Sequence, residues 1–223
     1  MATEAIIIPE VIIYKTLKTV FKLVKDDYDS NTLEDTMLYS LFGVDENGDR
    51  IAFESFDYLN QAIETFVRKT PQVNLGYNLE VASMGCVHIL LPAENGSPLG
   101  IGADENYQPY DENVDATSYR AVFTQKYDST YNLLISSENS FELLLIYNLL
   151  KSSLLALNYH LELSGLRLPK ISGQDVNLDS SKIPTHIFHR SVLLNFSYEL
   201  NVPNFFFTKL IKEFVITGKA ESP

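Results

Sequence analysis

Tryptophan is absent from this chain, and cysteine occurs once, at Cys86. A lone cysteine cannot close an internal disulfide, so packing alone must hold the fold. Basic residues are scarce: 17 Lys and Arg stand against 29 Asp and Glu, a net charge of −12. That balance disfavours nonspecific adhesion to DNA or anionic lipid and leaves room only for small basic patches. The start Met-Ala-Thr-Glu has no basic n-region, and Ile6, Ile7 and Ile8 are too few for a signal-peptide core. A cytoplasm-like compartment is expected.

Catalytic and ligand-binding motifs are also missing. No Gly-x-Ser-x-Gly elbow occurs. The run Gly96 to Gly102 is glycine-rich but lacks the Lys-Ser/Thr pair of a phosphate loop, and its flanks are acidic. Asp45, Asn47 and Asp49 copy the first ligands of a calcium loop, yet Arg50 and Phe56 stand where that loop needs Gly and Glu. A hairpin turn on Asn47-Gly48 explains the segment better. The histidines are His88, His160, His186 and His189. Cys86 and His88 would share one strand face, which zinc could use, but no second pair at metal spacing accompanies them. The expectation is no metal, no cofactor and no enzyme activity. An enzyme with a nonstandard site near Cys86 and His88 is the alternative.

What is present is a dense apolar unit from Tyr131 to Val202. Val192, Leu194, Phe196, Tyr198, Leu200 and Val202 alternate with wetter positions, which predicts a strand with one buried face. Ala121, Phe123, Tyr127, Tyr131, Leu133 and Ile135 predict a second strand, with a bulge or bend at Asp128–Thr130. Between them lies a helix. Asn139 is its N-cap, Glu142 the partner in a capping box, and Gly165 its stop beyond Leu161. Its apolar residues surround a narrow stripe of Asn148, Lys151, Ser152 and Ser153, which predicts burial on most of the surface. A membrane span needs about 18 or more apolar residues with few charges, and the stripe breaks that run.

Upstream, Pro9 and Glu10 open an amphipathic helix with Lys15, Lys18, Lys22 and Lys25 on one face, read as a solvated face. Thr32–Phe42 fits either a strand or a short helix. A hairpin and helix insertion (about 44–70) follows, then a strand or hairpin over Asn74–Leu91, with Gly85 as turn or bulge. The stretch 92–114 reads as an exposed acidic loop, and Lys170–Pro184 as a polar connection. The C-terminal tail (203–223) carries Phe205, Phe206 and Phe207. Three consecutive aromatics cannot all face one side, so a neighbour could cover some of them. The fold class expected is α+β: one domain, its mixed or antiparallel sheet packed against a long buried helix and an N-terminal amphipathic helix.

Four segments carry a family resemblance: Tyr131-Asn-Leu-Leu-Ile-Ser136, the helix after it, the loop Ser172-Gly-Gln-Asp175, and His189-Arg-Ser-Val-Leu-Leu-Asn-Phe-Ser-Tyr198. In type and order they resemble the tail-terminator or tail-completion ring proteins of tailed phages, at the head–tail junction. The resemblance implies a structural virion protein, assembled in the host cytoplasm. It implies a homo-oligomeric ring, commonly hexameric, that caps the tail tube or sheath and contacts neck or connector proteins. DNA would pass through without specific binding, and no membrane would be involved. Arg190 is the expected polar interface residue, with Phe205, Phe206 and Phe207 as apolar interface candidates. An adaptor binding a partner through its aromatic tail is a further alternative.

Overall fold

The computed structural model describes residues 7–32, 35–41, 56–78, 85–97, 121–176 and 187–203. In chain order the elements are α1 (Pro9–Ser30), α2 (Met37–Ser40), α3 (Phe56–Arg68), β1 (Gln72–Leu75), β2 (Cys86–Ser97), β3 (Ala121–Ser137), α4 (Ser140–Ala156), α5 (Asn158–Leu163), β4 (Arg167–Asp175) and β5 (Phe188–Pro203). The five strands form one sheet in the order β1-β2-β3-β5-β4. Only β1 and β2 run parallel; the other neighbours are antiparallel. The protein is therefore α+β with a mixed sheet.

The long β3–β5 pair is the spine. Tyr131, Leu133 and Ile135 of β3 lie beside Leu194, Val192 and Arg190 of β5. Alternation sends these β3 residues, and Val192, Leu194 and Phe196, to one buried face. There α4 packs on β3 and β5 and against α3. Ile13, Leu17, Val20, Phe21 and Val24 of α1 join the same core. The Phe21 ring meets Phe66 of α3 edge-on at 5.9 Å.

Two bulges lie in line across the sheet. The β2–β3 register slips between Leu90 and Ala93, so Leu91 and Pro92 oppose Tyr131 alone. The β4–β5 register slips between Arg167 and Lys170, so Leu168 and Pro169 oppose Phe196 alone. Proline has no N–H to give a ladder, so a Leu-Pro pair suits the unpaired residue of a bulge. Between the bulges the rings of Tyr131 and Phe196 stack at 5.3 Å, 12° apart in plane. The break expected at Asp128–Thr130 is absent from β3; it falls on the strand beside it.

The cap of α4 also differs from expectation. Asn139 Oδ1 accepts from the Phe141 and Glu142 amides at 2.9 and 3.3 Å. Glu142 does not reach back to the Asn139 amide. It accepts instead from the Ser137 hydroxyl, whose oxygen accepts from that amide at 3.0 Å. The capping box is thus closed through Ser137. The helix breaks at Leu157, and α5 ends in a Schellman turn. Gly165, at φ +95°, donates to the Glu162 carbonyl at 2.9 Å, and Leu166 to that of Leu161 at 3.0 Å.

Several sequence expectations are corrected. The helix expected within 44–70 is present as α3, with Ala62, Ile63 and Phe66 fully buried. The ambiguous stretch before it contains the short helix α2, capped by Thr36. Asn74–Leu91 is not one strand or hairpin but parts of two parallel strands. Pro92–Ser97, read as the start of the acidic loop, continue β2, and residues 98–114 lie outside the described residues. Lys170–Asp175, read as connection, is most of strand β4. The Asn47-Gly48 turn, the calcium-like segment and the tail with Phe205, Phe206 and Phe207 lie outside the described residues.

Candidate functional site

Cys86 and His88 do share a sheet face, opposite the one that carries the helices. Register adds a third member, since Cys86 pairs with Ser136 across β2 and β3. Cys86 Sγ lies 3.2 Å from His88 Nε2 and 3.0 Å from Ser136 Oγ, and the same nitrogen and hydroxyl are 3.2 Å apart. His88 Nδ1 lies 3.3 Å from the Gly76 carbonyl oxygen and 3.4 Å from the Asn78 amide nitrogen. Tyr77 covers the imidazole with ring centroids 4.8 Å apart. All three cluster side chains are fully buried.

Electrostatics make this cluster a poor nucleophile. Burial pushes the Cys86 thiol up; the Ser136 hydroxyl opposes this and the Glu142 charge adds to it. Burial pushes His88 down, against the pull of the Gly76 carbonyl. A catalytic cysteine needs the reverse, a thiolate beside a cation. Here a neutral thiol and a neutral imidazole satisfy one another with a hydroxyl. His189 of β5 pairs in register with Ser136 of β3. Burial lowers its pKa, and the neighbouring His88 lowers it further. Its ring nitrogens are buried and have no hydrogen-bond partner among the described residues. Among the described residues no group of three or more His, Cys, Asp or Glu is arranged to hold a metal.

The depressed histidines set a pH dependence. Unfolded, His88 and His189 titrate near about 6.5; folded, they titrate lower. Below the unfolded value the unfolded chain binds more protons, so stability falls with falling pH. Glu142 acts oppositely. Burial raises its pKa despite the Ser137 hydroxyl, so its contribution is lost as pH rises past the ordinary glutamate range. Melting temperature is expected to drop from pH 7 to pH 5, more steeply in Glu142→Gln, which removes the opposing group. A melting temperature that rises steadily to pH 5 in that variant would contradict the assignment of neutral histidines.

Arg190 sits in a second region, where the start of β5 meets α4. Its guanidinium stacks over the Tyr147 ring at 4.9 Å. The same ring lies on Gly173 of β4, where a Cβ would collide with it. A cleft of about 380 Å³ opens beside this stack, lined by Phe141, Leu143, Leu144, Phe188, His189 and Arg190, with Ser140 at its edge. Phe141, Leu143, Leu144 and Phe188 are its apolar lining residues, beside Arg190, His189 and Ser140. Phe188 is 46% exposed. The parity of 188, 190 and 192 on β5 is the sequence signal that links it to Arg190.

A third region is the outer face of α4 and α5. Leu155, Tyr159 and Leu163 are 69%, 67% and 67% exposed, the highest values among the described large apolar side chains. The expectation of a helix buried on most sides holds for Leu143–Leu154 and fails in the last turn. On α1, Lys15, Lys18 and Lys22 are exposed as expected, while Lys25 pairs with Asp29 at 3.3 Å. No helix among the described residues is long and apolar enough to cross a membrane.

Comparison with known proteins adds no further assignment: no protein-family model and no curated protein matches this chain.

Proposed function

We propose that this chain is a structural assembly protein of a tailed-phage particle, of the tail-terminator or tail-completion type. Copies close into a ring, six-fold in the arrangement the resemblance implies, that caps the tail tube and joins it to the neck. It is not an enzyme, takes no cofactor and works in the virion after assembly in the host cytoplasm. The observation that carries the ring is the pair of unlike sheet edges. Among the described residues, the outer edge of β4 and the outer edge of β2 beyond Ile89 have no strand partner. Unpaired edges are templates for strand addition. Because these two lie on opposite sides of one sheet, their union is head to tail, and a head-to-tail contact closes into a ring when the rotation allows.

Other features agree. From Leu91 to Gly96 both faces of β2 are exposed, so this arm is free to meet a neighbour. The Arg190 cleft offers an apolar seat with one cation for a side chain of an adjacent subunit. The acidic balance suits a channel along which DNA slides without sticking. Negative-stain microscopy of the purified chain, alone and with polymerising tail tubes, tests this reading. Rings on the ends of tubes of fixed length are expected. Tubes that grow without limit past the added protein, with no ring on any end, would overturn it.

A further inference from the structure

Asn47 and Asn95 are the asparagines that precede a glycine, and Asn95 is the one among the described residues. In an Asn-Gly pair the glycine amide can attack the side-chain carboxamide, because glycine has no Cβ to obstruct the approach and its backbone turns freely. The attack is suppressed where a strand ladder holds that amide or a hydrogen bond holds the carboxamide. Asn139, followed by Ser140, is held in the second way, since its carboxamide oxygen caps α4.

Register decides where the Gly96 amide points. Gln72 and Gly76 donate to the carbonyls of Gly85 and Ile89, so the odd residues at the start of β2 face β1 and the even ones face β3. Backbone groups alternate sides along a strand, so Ser136, Leu134 and Asn132 of β3 face β2 in turn. The bulge lies in β2, and β3 stays regular down to Lys126. Thr130, Asp128 and Lys126 therefore also face β2, opposite Ala93, Asn95 and Ser97. Glu94 and Gly96 turn their amides to the outer edge, which has no strand partner among the described residues. Asn95 and Gly96 are both exposed, and no hydrogen bond holds the Asn95 carboxamide among the described residues.

We propose that Asn95 is a site of spontaneous deamidation through Gly96. The Gly96 nitrogen gives its proton to hydroxide and bonds to Asn95 Cγ; the Cγ–Nδ2 bond breaks and ammonia leaves. Water then opens the cyclic imide at either carbonyl, leaving aspartate or isoaspartate. The strand holds residue 95 extended, so the imide forms during local opening of this strand end, where few buried contacts resist it. Either product adds one negative charge. Aspartate at 95 stands opposite Asp128 in the ladder, where like charges repel. Isoaspartate adds a methylene to the main chain and breaks the alternation at the end of the arm. If the outer edge of β2 is the ring contact, as proposed above, assembly covers the Gly96 amide and protects it.

The test is incubation of the folded full chain at mildly alkaline pH, at low and high concentration, followed by peptide mass mapping and an isoaspartyl methyltransferase assay. At low concentration the chain gains one negative charge on ion exchange, and isoaspartate accumulates in the peptide that carries residue 95. Conversion accelerates as pH rises. It is absent from that peptide in Asn95→Gln, whose longer side chain closes the imide poorly. A residue 95 that stays intact in the folded chain at low concentration, and converts only in urea, overturns the proposal. Protection at high concentration, in step with growth of the particle mass, supports both the site and the ring edge. Equal conversion in free and assembled chains counts against that edge alone and leaves the deamidation site standing.

Discussion

Tyr131→Ala is expected to lower stability by about 3–5 kcal/mol, the range for deleting a large buried aromatic. A domain holds only about 5–15 kcal/mol in total, so this loss is a large share of it. The site is costly for three reasons. The side chain is among the largest that are fully buried. Its ring stacks on Phe196 between the two Leu-Pro bulges, so its loss opens a void where the sheet already bends. Burial pushes its phenol pKa above the usual range, and the Glu10 carboxylate of α1 adds to the rise, so sheet and helix are electrostatically linked there. Tyr131→Phe keeps the ring and loses only the hydroxyl, at about 1 kcal/mol. Urea denaturation separates the two. Equal losses in both variants would show that the ring contributes little and the bulge-stack account is wrong.

Gly85→Ala is expected to cost roughly 1–3 kcal/mol by overpacking. A Cβ there would sit 2.5 Å from Glu142 Oε1, 2.8 Å from its Cδ and 3.1 Å from Ile146 Cδ1. The Glu142 side chain cannot swing aside freely, because it is buried and held by the Ser137 hydroxyl that closes the cap of α4. One methyl group therefore disturbs a helix terminus and the start of β2 together. A double-mutant cycle with Glu142→Ala isolates the cause. In that background the added methyl meets only Ile146, and its cost should fall to a few tenths of a kcal/mol. An undiminished cost would trace the effect to the Gly85 backbone.

The spine of the fold was legible in the sequence because its signals are local. The period-two runs of β3 and β5, and the apolar helix between them, each bury a face that their own spacing defines. The edge strand β4 was not legible. Pro169, Ser172, Gly173 and Gln174 are weak strand formers, and only the open side of β5 makes strand of them. Nor could local pattern say that β1 and β2 run parallel, since pairing direction is set by a non-local connection. The proline bulges were half visible. Pro92 opens the stretch that reads as an acidic loop, whereas Leu-Pro in each flanking strand repeats one device on both sides of the stacked aromatics.

The site regions divide in the same way. The two-residue spacing of Cys86 and His88 was enough to place them on one face. Ser136 joins them only through the β2–β3 register, about 50 residues away in sequence. Arg190 was singled out, and its seat on Tyr147 gives it a defined orientation beside the cleft. The ridge of Leu155, Tyr159 and Leu163 was present in the sequence at helical spacing. It belongs to a helix that reads as buried, because periodicity reports which residues share a face and not whether that face meets the core.

Light scattering of the purified full chain, coupled to size exclusion over a hundredfold range of concentration, tests the assembly account most directly. A single discrete species of more than two copies, its mass a fixed multiple of the 25.2 kDa chain, is the predicted result. Nothing larger than a monomer or simple dimer across that range, with the fold intact by circular dichroism, would contradict it.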